Sequence, residues 1–435
     1  LNKEMAVDVL LGLQWGDEGK GKVVDVLAPK YDYVARFQGG PNAGHTLIFD
    51  GNKIVLHQIP SGVFRSNITN LIGNGLVLDV IALFEKEIDK LTAFNLNLNK
   101  NLFISKKASL ILPSHVELDA AYEAAKGANK IGSTLRGIGP TYTDKVSRQG
   151  LRVGDILSPN FMDKYTKLVN AHKQILDFHK HDYSAMKDRE ILFFKYIERL
   201  RTMNLVDSEY FINDAIQQKK TILAEGAQGS LLDIDFGSYP FVTSSSTMVA
   251  GACTGLGIAP KHIGNVFGIF KAYCTRVGSG PFPTELHDAV GEKMRKEGNE
   301  FGSTTGRPRR CGWLDLPALK YACMINGVSH LLMMKADVLN TFEELEVCTH
   351  YKLGNGDVVD TLPYDMCTDD LTPVYKTLKG WNQDLAHCET FNSLPKELLD
   401  YSAFIEKELG LPITLISIGP DRKETLIKDE SFITA

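Results

Sequence analysis

The sequence contains no C-x-x-C pair, no run approaching the ~18 apolar residues of a membrane-spanning helix, and no excess of basic charge. The first absence argues against a zinc site with the usual short paired spacing. Seven cysteines lie scattered over the second half of the chain, as buried thiols in a reducing compartment would. A zinc set drawn from Cys348, His350, His387 and Cys388 lacks the usual paired ligand spacing. The second absence, with a start Leu1-Asn2-Lys3-Glu4-Met5-Ala6 in which no basic segment precedes an apolar one, predicts no export leader, no membrane partner and a cytoplasmic address. The third excludes a surface given over to nucleic-acid phosphates or anionic lipid, because the formal net charge is -5. Anion binding must therefore be local. Internal repeats and low-complexity tracts are also missing.

What is present reads as a globular α/β chain. With 43% hydrophobic and 23% charged residues over 435 positions, a substantial core can form. Short apolar, β-branched runs at 7–13, 33–37, 221–224, 265–273, 330–334 and 413–418 alternate with helical or loop segments. That alternation predicts a large, mostly parallel central sheet flanked by helices. Asp50-Gly51-Asn52 between residues 46–50 and 53–58 predicts a hairpin, one of several small antiparallel elements. Ser114 with Glu117 reads as a capping box before a helix over 118–126. The charged, aromatic stretch 161–217 reads as a helical insertion within a single domain spanning 1–435.

The chemistry concentrates in six small-residue loops and one base-reading motif. Gly16-Asp17-Glu18-Gly19-Lys20-Gly21-Lys22 has the G-x-x-x-x-G-K spacing between a strand and a helix, so its N–H groups and the helix terminus can cradle phosphate. This makes the fold P-loop-NTPase-like, but Val23 stands where such a loop has Ser or Thr for magnesium. A cation must find other ligands, and Asp17 is a carboxylate suited to one. The second loop, Gln38-Gly39-Gly40-Pro41-Asn42-Ala43-Gly44-His45-Thr46, follows a strand and ends in a side chain that titrates near neutral pH. Met334-Lys335-Ala336-Asp337 resembles the base-reading N-K-x-D with Met for Asn; one carboxylate can accept the adjacent donors of guanine, which adenine lacks. Gly302-Ser303-Thr304-Thr305-Gly306-Arg307-Pro308-Arg309-Arg310 offers guanidinium groups to a dicarboxylate. The loops at 132–140, 225–229 and 239–246 add hydroxyl and amide donors, implying a large polar pocket for anions.

Together, residues 12–22, 39–46 and 304–315, with Glu225-Gly226-Ala227-Gln228-Gly229, Gly280-Pro281-Phe282-Pro283-Thr284-Glu285-Leu286 and Gly419-Pro420-Asp421-Arg422, resemble the adenylosuccinate synthetase family, in family order over nearly the whole chain. The resemblance implies a GTP-dependent ligase joining IMP and L-aspartate into adenylosuccinate through 6-phosphoryl-IMP, the first committed step from IMP to AMP. It implies Asp17 as the base at purine N1, His45 as general acid, and Lys20 and Gln228 as further catalytic groups. One Mg2+ per subunit is expected on Asp17, the Gly44 carbonyl and phosphate oxygens. GTP is expected at Gly16, Asp17, Glu18, Gly19, Lys20, Gly21, Lys22, Gly44, His45, Thr46 and Arg309, with Lys335, Asp337, Ser417 and Gly419 framing guanine. IMP is expected at Asp17, Asn42, Ala43, Gly44, His45, Thr134, Gln228, Thr243, Arg307 and Arg309. Arg148 is expected to reach the IMP of the other subunit of a homodimer. Aspartate is expected at Gly302, Ser303, Thr304, Thr305, Gly306, Arg307 and Arg309. The family pattern varies at Pro308, Ser133 and Leu135.

Two other readings compete. A regulatory GTPase would use the phosphate loop and Lys335–Asp337 motif, but Val23 and the missing Asn count against it. An RNA-binding module would use Arg307, Arg309 and Arg310, but the acidic balance and lack of a stacking motif oppose it.

Overall fold

The computed structural model describes residues 7–127, 130–302, 306–367 and 370–428. Its centre is a ten-stranded sheet. In chain order the strands are β1 (Val7–Gly12), β2 (Tyr33–Arg36), β3 (Thr69–Ile72), β4 (Leu102–Ser105), β5 (Asn204–Val206), β6 (Ile222–Glu225), β7 (Ile263–Lys271), β8 (His330–Met334), β9 (Ile413–Ser417) and β10 (Thr425–Ile427). The spatial order is β10-β9-β8-β7-β1-β6-β2-β3-β4-β5, with every neighbouring pair parallel except β9 and β10. β6 and β9 are buried along their whole length, as apolar strands covered on both faces must be.

The topology decides where function sits. β1 lies between β7 and β6, and the chain runs to opposite sides of it, creating a switch-point crevice beyond the carboxyl ends of the parallel strands. The loops leaving β1, β2, β6, β8 and β9 are five of the small-residue and base-reading segments singled out in the sequence. Parallel pairing carries them to one edge.

After β1 the chain turns through Gly16 (φ 84), Asp17 (φ 61) and Gly19 (φ 96) into helix α1 (Lys20–Leu27). A Cβ on Gly21 would lie 2.7 Å from that of His45, so glycine is what lets α1 pack against the second loop. The expected hairpin pairs His45–Phe49 with Asn52–Leu56, and Asp50 and Gly51 both take positive φ, the geometry that joins twisted strands in two residues. Antiparallel pairing of Glu344–Leu353 with Val358–Val359 and Leu371–Lys379 forms a smaller sheet.

Two local readings change. Helix α2 (Pro113–Ala125) begins five residues before the expected 118, with Pro113 in its first turn. Ser114 is not its cap: the His115 ring accepts the Leu112 N–H at 2.9 Å, and the Ser114 hydroxyl bonds His172. Helix α3 (Ile138–Ser147) follows the loop at 132–137. The segment 161–217 holds helices α4 (Phe161–Phe178) and α5 (Met186–Leu200), but it also supplies β5, which pairs with β4 at the sheet edge. Its helices share a core with residues from β3 and β4, so the segment is built into the sheet rather than appended to it.

Candidate active site

A cavity of about 960 Å³ opens at the carboxyl ends of the central strands. It is lined by every described residue of the expected site except Gly306 and Arg148. Ser303, Thr304 and Thr305 lie outside the described residues. Asp17, Gln228 and Lys335 all have positive φ, a conformation that non-glycine residues hold only where surrounding structure imposes it.

On the phosphate side, Glu18 is fully buried and its carboxylate accepts the N–H groups of Gln14 (3.1 Å) and Gly16 (3.0 Å) while pairing with Lys20. A Cβ at Gly12 or Gly229 would strike that carboxylate, at 2.3 and 2.6 Å. Glu18 thus fixes the loop from inside and holds the Lys20 ammonium at the cavity wall. Lys22 is used differently. Its ammonium donates to Ser417 Oγ (2.8 Å), the Gly419 carbonyl (2.7 Å) and the Glu424 carbonyl (3.0 Å). It ties α1 to the loop after β9, and burial pulls its pKa down to about 8.

His45 is buried, with Nδ1 on Glu225 Oε1. Glu225 also accepts the Ser61 N–H and hydroxyl, both at 2.7 Å, and lies 4.0 Å from the buried Arg36. Burial, then the Arg36 charge, hold the His45 pKa down to about 4 against the opposing pull of Glu225, so the ring is neutral near pH 7. Its Nε2 is buried without a hydrogen-bond partner within the protein, although the residue lines the cavity. The neighbouring Ala43 carbonyl accepts a 2.6 Å bond from His57 Nδ1, which fixes the second loop from behind. Gln228 links the loops: its oxygen accepts Gln38 Nε2 (3.2 Å) and its amide donates to Asn42 Oδ1 (3.3 Å).

Opposite these groups, Arg309 Nε donates to Asp17 Oδ2 at 2.9 Å and Nη1 pairs with Glu300. Arg307 donates to the Gly132 carbonyl at 3.3 Å, joining the arginine segment to the loop before α3. That loop is held by α2: Asp119 accepts Ser133 Oγ (2.7 Å) and the Gly137 N–H (2.9 Å), and Glu123 accepts the Gly132 N–H (2.9 Å). Arg310 does not line the cavity; it pairs with Glu285 and caps the Gly278 and Gly280 carbonyls. Within reach of the Lys335 and Lys22 charges, Asp337 Oδ1 is buried without a hydrogen-bond partner, and burial raises its pKa. An unpaired buried acceptor in a cavity is a group awaiting a donor. Arg148 is exposed with φ 66 just after α3, outside this cavity's lining.

A hard divalent cation suits the donor set on the wall. A carboxylate (Asp17) and a backbone carbonyl (Gly44) border the space that phosphates would occupy, and Val23 is fully buried in α1. Among the described residues, the three-membered ligand cluster is elsewhere, at His115, Asp144 and His172. It is spent on itself. His115 Nδ1 accepts the Leu112 N–H, so its proton sits on Nε2 and goes to Asp144 Oδ2 at 2.9 Å, where His172 Nε2 also lies at 2.9 Å. The cysteine–histidine set of the last third is not brought together, and all seven thiols are free.

Several residues that shape the site carried little sequence signal. Glu225 stands in one of the motifs that carry the family resemblance, but nothing in the sequence pairs it with His45; Arg36 ends an apolar strand, where a charge is unusual, and that anomaly is its clue. Glu300, Asp119 and Glu123 have none, because their importance lies in partners distant in sequence.

Sheet order, phosphate loop and shared cavity define an α/β enzyme of the phosphate-cradling class, built to hold several anionic ligands together. The family model for adenylosuccinate synthetase matches residues 9–426. The chain is 93% identical over 431 residues to the adenylosuccinate synthetase of Cytophaga hutchinsonii, covering 99% of this chain and 100% of that one. It is 59% identical over 424 residues to that of Bacteroides fragilis, covering 98% and 99%. The fully ligated adenylosuccinate synthetase from Plasmodium falciparum superposes with a TM-score of 0.91 at 39% identity, covering 98% of this chain and 100% of that one. A cyanophage S-2L succinoaminodeoxyadenylate synthetase shares the fold at TM-score 0.64 and 19% identity, covering 97% and 95%. This chain belongs to the adenylosuccinate synthetase family. The regulatory-GTPase and RNA-binding readings are set aside.

Proposed function

We propose that the cavity joins IMP to L-aspartate at the expense of GTP, releasing adenylosuccinate, GDP and phosphate. The observation that carries the reading at the level of residues is the pair of buried, unpartnered polar atoms, His45 Nε2 and Asp337 Oδ1, on two walls of one cavity. Asp337 accepts the guanine N1–H and amino group. Asp17 takes the N1 proton of IMP, placing negative charge on O6, which attacks the γ-phosphorus as GDP leaves. The aspartate amine then attacks C6, loses a proton, and phosphate departs. Converting a poor leaving group into a phosphate ester divides one difficult substitution into two easier ones.

Lys20 neutralises charge on the transferring phosphate. Because Nδ1–H of His45 is committed to Glu225, donation from Nε2 requires the imidazolium; phosphate charge beside Nε2 and the Glu225 carboxylate both favour that form. Asn42, Thr134, Gln228 and Thr243 hold IMP, while Arg307 and Arg309 meet the aspartate carboxylates. Asp17 and the Gly44 carbonyl would hold Mg2+, which supplies charge neutralisation across the phosphates when bound. Arg148, exposed and outside its own cavity, completes the IMP site of a second subunit in a homodimer, and the enzyme works in the cytoplasm. Following adenylosuccinate by ultraviolet absorbance, with GTP, IMP, aspartate and Mg2+ each omitted in turn, tests the reading. Product must require all four; GTP hydrolysis that ignores IMP and aspartate would refute it.

A further inference from the structure

Glu300 is fully buried, and four donors converge on it. Lys271 Nζ and Lys335 Nζ each lie 2.9 Å from Oε1, the Tyr273 hydroxyl donates to the same oxygen, and Arg309 Nη1 pairs with Oε2. Two of these donors line the cavity from different walls. Arg309 continues to Asp17 at 2.9 Å, and Lys335, with φ 59, opens the turn that carries Asp337. Burial alone would push the Glu300 carboxyl up, but Lys271, Lys335 and Arg309 overcome it and hold it well below the usual carboxylate range.

We propose that Glu300 is the positioning residue that keeps the two halves of the cavity in register, Arg309 and Asp17 on the IMP–aspartate side and Lys335 on the guanine side. The inference rests on the ligase reading above. It follows from the count of donors and charges. Three cations and a hydroxyl share one carboxylate, and an amide in its place offers a single acceptor oxygen and turns an N–H2 toward a cation. Whichever way the amide faces, one of Arg309 and Lys335 meets its N–H2 and the other keeps only a neutral acceptor, so both anchors weaken, and each carries a wall of the site with it.

The test is steady-state kinetics on the full-length enzyme carrying Glu300→Gln, with thermal unfolding measured alongside. Loss of a charge-assisted bond on each side is expected to raise KM for both aspartate and GTP by about tenfold. Glu300→Asp, which keeps the charge but is one methylene shorter, should raise both KM values by less. Tyr273→Phe removes a donor that does not line the cavity and should leave both within about twofold. A lowered Tm with both KM values unchanged would reduce Glu300 to packing and overturn the proposal, as would a rise in one KM only. If the Gln variant does not fold, the Asp variant decides: unchanged KM values there refute the positioning role. Failure of the wild-type enzyme to make adenylosuccinate would instead overturn the functional reading.

Discussion

Replacing Asp17 by Asn removes a base while leaving its shape and an oxygen for Arg309. The carboxylate is about 30% exposed, so its ion pair with Arg309 is discounted by solvent to roughly 1 kcal/mol. Arg309 also keeps its bond to Glu300. The fold should therefore lose little, with a Tm change of a few degrees at most. The chemical step should lose much. General base catalysis contributes about 10²–10⁴-fold, equivalent to roughly 3–5 kcal/mol at the transition state. The assay pairs kcat for adenylosuccinate formation at saturating Mg2+ with calorimetric titration of GDP in the absence of Mg2+, which keeps the cation that Asp17 would hold out of the binding measurement. A fall in kcat of that size with GDP affinity within about threefold is expected, since the lost interaction belongs to the transition state. A kcat within about tenfold of wild type, or a loss of binding that accounts for the whole effect, would refute the assignment of Asp17 as base.

Further outcomes are expected. Asp337→Asn should shift preference from guanine to xanthine nucleotides, because an amide donor meets the xanthine oxygen; unchanged GTP preference in competition assays would remove Asp337 from base reading. Mixing an Arg148→Ala chain with an Asp17→Ala chain should restore part of the activity if Arg148 acts across subunits, whereas no rescue would mean sites complete within one chain. Stability should fall on acidification between about pH 6.5 and 4. His45 and His57 both have folded pKa values lowered to about 4 by burial, so below 6.5 the unfolded chain takes up protons that the folded chain refuses. The sign is loss of stability as pH falls, worth about 3 kcal/mol per histidine across the window. Denaturant unfolding at stepped pH checks it, and His57→Gln should make the decline shallower.

The sequence was most legible where local chemistry and topology coincide. Glycines after β1 and β2, the Asp50-Gly51 turn and the β-branched runs each reflect constraints felt within a few residues, and the parallel sheet then follows from their alternation. What stayed hidden depends on contacts made at a distance. Glu300 reads as one more surface glutamate until folding surrounds it with Lys271, Tyr273, Arg309 and Lys335. Lys22 is expected among the GTP-contacting residues and lines the cavity, but the tie of its ammonium to Ser417 and two carbonyls in and after the loop following β9 has no local sequence pattern. β5 was concealed because three residues between helices carry no reliable period. Ser114 looked like a cap, but Pro113 already starts the helix and His115 serves its first turn.

The central claim is that the phosphate loop delivers the γ-phosphoryl group of GTP to the purine oxygen of IMP, so that one loop both holds the donor and activates the acceptor. IMP labelled with oxygen-18 at position 6 tests it directly. The account predicts one labelled oxygen in each released phosphate, read by mass spectrometry, with adenylosuccinate formed in equal amount. Unlabelled phosphate accompanied by adenylosuccinate would contradict it.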